Sequence, residues 1–251
     1  MKAFKLSAAA ALALALAGCG GGGGNSAGGN ATAAGADQNF KVEQIAAPNG
    51  ANWADTVTQT PDGGFLKGNP AARVKVVEYG SMTCSHCADF SETGEPALVD
   101  KYVKSGQVSF EFRNYVRDPA DIAAALIARC NGAAAFFPLT EQLFASQAEW
   151  MNKLQQMPAE QQAQLQSMSP AQAVGVYAQA AGLVDFARVR GIPAAKAQAC
   201  VADAGQVQRL VEIGKSAGEI PGTPAFFING TLVPNSADWK TLEAAVQQAL
   251  R

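Results

Sequence analysis

Apolar positions along this chain recur with two periods, and each period marks a different kind of element. Val74-Lys75-Val76-Val77-Glu78-Tyr79 is β-branched and apolar and reads as a buried strand. Residues 88–104 carry a helical pattern. Val108 to Tyr115 alternates apolar and polar, as a half-buried strand does. Strand, helix and strand form one βαβ unit, for which parallel pairing is expected. From Asp118 to Gln206 the β-branched runs disappear and Ala, Gln and Leu dominate. Asp118-Pro119-Ala120-Asp121 starts a helix, with Asp at the cap and Pro in the first turn. Phe136, Leu139, Leu143 and Phe144 fall on one helical face. Pro158, Pro170 and Pro193 each begin or break a helix. Residues 155–168, rich in Gln and Met, read as a solvated helix or a mobile loop.

β-structure returns at Ala225-Phe226-Phe227-Ile228, and Asn229-Gly230 separates it from Thr231-Leu232-Val233. Asn-Gly between two apolar runs is a hairpin signal. The chain closes with a helix presenting Trp239, Leu242, Val246 and Leu250 on one side. At the other end, residues 39–62 hold Trp53 and Thr56-Val57-Thr58 between polar residues and read as an N-terminal extension packed on the domain. Gly68-Asn69-Pro70 is turn chemistry before the strand at 74. The predicted order is strand, helix, strand, helical insert, hairpin, helix, which a mixed sheet with helices on both faces satisfies.

Residues 1–18 read as an export signal: Lys2 and Lys5, then an apolar run from Ala8 to Ala17 too short to span a bilayer permanently. Leu16-Ala17-Gly18-Cys19 resembles a bacterial lipobox, which makes Cys19 a lipidation site and the new N-terminus. Residues 19–38, mostly Gly, Ala, Asn and Ser, cannot offset their chain entropy by burial and read as a flexible tether. The expected location is periplasmic and lipid-anchored to a bacterial membrane. Gly20 is not an inner-membrane retention residue, which favours the outer membrane.

The net charge is −2 with no basic block, which excludes nucleic-acid binding through a cationic face. His86 is the single histidine, so multi-histidine zinc sites and Cys-His or Ser-His machinery elsewhere are excluded. With Cys19 set aside, Cys84, Cys87, Cys130 and Cys200 allow three pairings. Proximity favours Cys84–Cys87. That leaves Cys130–Cys200 as a structural disulfide, or else as a second redox pair.

Cys84-Ser85-His86-Cys87 places a thiol where a strand turns into a helix. A helix N-terminus favours a thiolate there, which is a nucleophile and a good leaving group. The order of elements around this motif resembles the thioredoxin fold. Its helical block, together with Ala178 to Cys200, resembles the insertion of the DsbA family of thiol–disulfide oxidoreductases. Ile220-Pro221-Gly222-Thr223-Pro224 before Ala225 resembles that family's loop carrying a cis-proline. Glu78, six residues before Cys84, matches a position that often holds a buried acid. The resemblance implies residues 63–117 and 207–251 as a thioredoxin-like domain and 118–206 as its helical insertion. It implies Cys84 as an exposed nucleophile and Cys87 as a buried resolving thiol. His86 would stabilise the Cys84 thiolate, Thr223 and Pro224 would line the site, and Glu78 would move protons for Cys87. Ser85 stands where the best-known members carry Pro.

The implied activity is disulfide donation to thiol-bearing exported polypeptides, with a membrane redox partner for reoxidation and no metal or organic cofactor. The oligomeric state is left open. Two alternatives stand beside it: a reductase or isomerase of the same fold, and a non-catalytic surface binding or chaperone module.

Overall fold

The computed structural model describes residues 35–251. The export signal, Cys19 and the tether up to residue 34 lie outside the described residues. Six strands form one mixed sheet in the order β1-β2-β4-β3-β5-β6. They are β1 Val57–Gln59, β2 Phe65–Gly68, β3 Val74–Gly80, β4 Val108–Asn114, β5 Ala225–Ile228 and β6 Thr231–Leu232. β3 and β4 pair in parallel from Val74↔Val108 to Gly80↔Asn114, as the βαβ reading requires. All other pairings are antiparallel. Asn229 and Gly230 take φ of 50° and 83° and turn the β5–β6 hairpin. Positive φ at both central residues suits the twist of such a hairpin.

Two strands escaped the pattern reading. β1 is a three-residue edge strand with little burial, and β2 is four residues long, so neither shows a period. β2 lies against β4 with Phe65 opposite Phe112. The extension therefore contributes a strand as well as Trp53, whose indole donates to the Ile45 carbonyl at 2.8 Å.

The helix after β3 also starts earlier than residue 88. α1 spans Ser85–Leu98 and continues as a widened turn over Val99–Val103. Phe90 of α1 packs on Phe226 (4.5 Å between ring centroids) and Phe110 (6.3 Å), so α1 lies on the sheet face that carries Val76, Glu78 and Phe110. The C-terminal helix α10, Trp239–Leu250, buries Leu242 and Val246 beside it. α10 is tied down by Glu243, which accepts from Tyr102 Oη and Lys101 Nζ, both at 2.7 Å.

The insertion is wholly helical. α2 Pro119–Arg129 is buried from Ala120 to Ala128, so it forms the insertion's centre. Around it come α3 Ala133–Ala145, α4 Gln147–Gln155, α5 Ala159–Gln166, α6 Pro170–Ala180, α7 Leu183–Arg188 and α8 Ala194–Val201. Phe136, Leu139, Leu143 and Phe144 are buried on one face of α3, and Phe136 stacks on Phe65 at 4.0 Å. Pro158, Pro170 and Pro193 stand at the starts of α5, α6 and α8. The 155–168 stretch resolves into α5, which holds Leu165 in a small satellite cluster with Met157 and Ala173. α9 Ala204–Lys215 returns the chain to the opposite sheet face, where Tyr79 Oη and Ser216 Oγ meet at 3.0 Å. Among the described residues no helix is long and apolar enough to cross a membrane.

Cys130, just after α2, is disulfide-bonded to Cys200 of α8 across a separation of 70 residues. Closing a loop of that length removes unfolded-state entropy worth about 4 kcal/mol in the chain-entropy model. Cys130→Ser is expected to lower stability by about 2–4 kcal/mol in denaturant unfolding. The reduction potential of the remaining cysteine pair should stay at the wild-type value, because the bridge ties only the far, C-terminal end of α2 to α8.

Candidate active site

β3 delivers the chain to Gly80, where a Cβ would lie 2.5 Å from the Phe112 ring, so only glycine fits against that side chain. Ser81-Met82-Thr83 then turns into α1, and Cys84 occupies the N-cap position of that helix. Cys87 therefore lies in the first turn. Both thiols are free in this structure.

The Thr223–Pro224 bond is cis, and Pro224 is buried. The loop brings the Thr223 carbonyl within 3.1 Å of Cys84 Sγ, which donates to it. Cys84 is consequently only 6 % exposed, against 0 % for Cys87. The expected exposed nucleophile is thus mostly covered, with the Thr223 carbonyl lying against its sulfur.

The two thiols are driven in opposite directions. Hydrogen bonding from the Cys87 thiol lowers the Cys84 pKa to about 4 against the opposing effect of burial, with further help from Thr223 and from the backbone N–H groups of Cys87 and His86. Burial pushes the Cys87 thiol well above its usual range, aided by its bond to Cys84 and the nearby charge of Glu78. Ser81 N–H points at Cys87 Sγ from 3.5 Å.

His86 and Ser85 are exposed. Among the described residues no hydrogen bond joins the His86 imidazole to Cys84; what His86 offers the sulfur is its backbone N–H. A cleft of about 320 Å³ opens beside the ring, between α1 and the start of α10.

Glu78 is 2 % exposed and its Oε1 has no hydrogen-bond partner. Burial raises its pKa well above the carboxylate range, with the charges of Glu95 and Cys84 adding to the effect. Burial thus favours the protonated form of this acid, whose field reaches Cys87. Glu95, buried in α1, pairs with Lys67 of β2 at 2.9 Å, and Lys67 also reaches Glu141 at 3.2 Å. Among the described residues no three His, Cys, Asp or Glu side chains gather as a metal site.

Pattern reading missed Lys67, Glu95 and two insertion residues that touch the turn before Cys84, namely Asp121 and Gln147. Asp121 was visible only as part of a helix start. Gln147 carries no local signal, because its contact crosses more than 60 residues of sequence.

A family model described as Thioredoxin matches residues 60–248. A Rickettsia conorii protein, provisionally named a protein-disulfide oxidoreductase, is 28 % identical over 229 residues, covering 86 % of this chain and 73 % of that protein. The curated relatives are spanned over 61 to 73 % of their own length. The crystal structure of a protein-disulfide isomerase from Novosphingobium aromaticivorans is similar at a TM-score of 0.69 and 31 % identity, covering 74 % of this chain and 96 % of that one. The alpha-DsbA1 structure from Wolbachia pipientis shares the fold at a TM-score of 0.53 and 21 % identity, covering 73 % and 93 %.

The low Cys84 pKa has a pH signature. A depressed acid stabilises the folded form above its unfolded pKa and loses that effect as pH falls through the folded value. For Cys84 the window runs from near 9.0 down to about 4. The raised Cys87 value acts only above this window. The melting temperature of the reduced protein minus that of the oxidised protein should therefore shrink as pH falls from 9 to 4. Thermal unfolding of both forms across this range checks it, and a flat difference would contradict it.

Proposed function

This chain belongs to the thioredoxin family of thiol–disulfide oxidoreductases, with a DsbA-like helical insertion, and we propose that it works as an oxidase on exported polypeptides. The observation that carries the direction is the opposed tuning of Cys84 and Cys87. Stabilising the Cys84 thiolate stabilises the reduced protein, which makes the Cys84–Cys87 disulfide a stronger oxidant.

The oxidised protein holds the Cys84–Cys87 disulfide. A substrate thiolate attacks Cys84 Sγ, forming a mixed disulfide and releasing Cys87 as the leaving group. Cys87 takes up a proton, for which Glu78 is the donor. A second substrate thiolate attacks the substrate sulfur, and Cys84 departs as the stable thiolate. The substrate loses two electrons as its disulfide forms, and the Cys84–Cys87 pair gains them. Reoxidation falls to a membrane redox partner, quinone-linked in related systems.

Pro224 lacks a backbone N–H, so it can lie against the sulfurs while neighbouring backbone groups pair with an extended substrate. Substrate binds along the loop at Pro224, with the exposed His86 at its margin. Ser85 also faces solvent there. Cys19 carries the lipid anchor, and the tether of residues 19–38 lets the domain stand off the membrane, with the outer membrane favoured.

An isomerase is the second reading, favoured by the similarity to the protein-disulfide isomerase from Novosphingobium aromaticivorans. Equilibration with glutathione separates the two directions of chemistry. The oxidase reading expects a potential nearer to about −120 mV than to about −270 mV, where a reductase sits. Charged with oxidised glutathione to a Cys84–glutathione disulfide and then given a reduced, unfolded substrate, Cys87→Ala should release glutathione and accumulate a mixed disulfide with the substrate through Cys84, while Cys84→Ser should capture none. Rapid repair of scrambled disulfides without net oxidation would favour the isomerase.

A further inference from the structure

We propose that the helical insertion sets the reactivity of Cys84 by a two-sided clamp on the turn Ser81-Met82-Thr83, with Asp121 of α2 on one side and Gln147 of α4 on the other. The proposal rests on reading Cys84–Cys87 as the exchange site. Both are positioning residues, since neither touches a sulfur.

α1 begins without a side-chain cap, because its N-cap residue is Cys84 itself. A Ser, Thr, Asp or Asn at that position would have satisfied an orphan N–H and fixed the entering chain. Here the chain is fixed from outside. The fully buried Asp121 carboxylate accepts from Ser81 Oγ at 2.6 Å and from Met82 N–H at 2.8 Å. It also accepts from Arg117 N–H at 3.1 Å, and its own N–H donates to Asp118 Oδ1 at 2.9 Å. From the opposite side, Gln147 Nε2 donates to the Met82 carbonyl at 2.8 Å and to the Cys84 carbonyl at 3.0 Å. Met82 is thus held by both its N–H and its C=O. Arg117 adds a bond to Thr83 Oγ1 at 2.8 Å.

The clamp satisfies the backbone of a buried turn: Met82 is 0 % exposed, and without Asp121 and Gln147 its N–H and C=O would lose these partners. Meeting that need with a buried carboxylate carries a desolvation cost. Burial indeed drives the Asp121 pKa up to about 7 against the pull of its donors. What the two groups share is the backbone that orients Cys84. Its thiolate depends on direction: the Cys87 thiol, the N–H groups of Cys87 and His86, and Thr223 must all stay aimed at one sulfur. A small rotation of the turn would take Cys84 Sγ out of that focus. The insertion therefore reaches the sulfur chemistry through the turn, at a distance of one residue.

The test uses the full chain with Gln147→Met, which keeps length and removes both donors at a half-exposed site, and Asp121→Asn, which keeps shape and removes one acceptor oxygen. Ultraviolet thiolate absorbance against pH reports Cys84, and equilibration with glutathione reports the disulfide. Each variant should raise the Cys84 pKa and weaken the oxidising equilibrium roughly fivefold, the effect of about one net hydrogen bond. Because both residues act on Met82, the double variant should lose less than the product of the single losses. If Gln147→Met folds and keeps the wild-type titration and equilibrium, the clamp is overturned, even when its melting temperature falls equally in both redox forms. If the wild-type protein itself fails to exchange with glutathione, the exchange-site reading fails first and the clamp with it. Asp121→Asn is the variant more exposed to misfolding, and Gln147→Met alone decides the matter in that case.

Discussion

The first turn of α1 leaves backbone N–H groups without helical partners, and the Cys84 sulfur lies at them. That geometry is the constraint on which the site depends. A sulfur one residue earlier would sit in the turn, and one residue later it would point along the helix side. Its partners come from two places: the first turn of the helix, through the Cys87 thiol and the N–H groups of His86 and Cys87, and the loop at Thr223-Pro224; the Ser81 N–H after β3 points at Cys87 Sγ instead. α1 starts just past the C-terminal end of β3, and the antiparallel pairing of β5 with β3, Tyr79 opposite Ala225, brings the proline loop to that same end. The fold thus assembles a thiolate site from segments about 140 residues apart.

Behind the sulfurs, the interior carries several ionisable groups that a purely apolar core would omit. Isolated charges in such surroundings are expensive, and pairing offsets that only when the geometry is good. Lys67 meets this condition with Glu95 and Glu141. Glu78 does not: one oxygen is unpartnered and no cation touches it. Its burial favours the protonated form instead, and its field reaches Cys87. The pairing of Lys67 and Glu95 also limits the negative field at Glu78, since a bare Glu95 would press its pKa higher still.

Legibility from the sequence followed the length and period of each segment. β3, β4, the Asn229-Gly230 hairpin and α10 were readable because their patterns run over several residues or use turn chemistry with one solution. β1 and β2 were not, being three and four residues long; β2 takes its place by pairing with β4 across some 45 residues, and β1 by pairing with β2. At the site, the two thiols, the acid at 78 and the Thr-Pro loop were legible as motifs. The exposure of Cys84 was misjudged because Thr223 covers it from a distant loop. Lys67, Glu95, Asp121 and Gln147 were silent for the same reason: each acts through a partner that no local spacing reveals.

The second cysteine pair bears on where the first can work. Cys130–Cys200 joins the end of α2 to α8, and α2 is also the helix that carries Asp121. A bridge in the insertion persists in an oxidising compartment and is reduced in the cytosol. On the oxidase reading the Cys84–Cys87 disulfide, by contrast, is the one given away, because its reduced form gains the stabilised thiolate. The two disulfides therefore differ in what reduction does to them. Breaking Cys130–Cys200 frees a closed loop and gains no stabilised product, so it resists exchange. Breaking Cys84–Cys87 yields a thiolate that the fold is built to hold. On that reading one chain keeps one disulfide while giving up the other because their reduced states differ in this way, and the helix start at Cys84 supplies the difference.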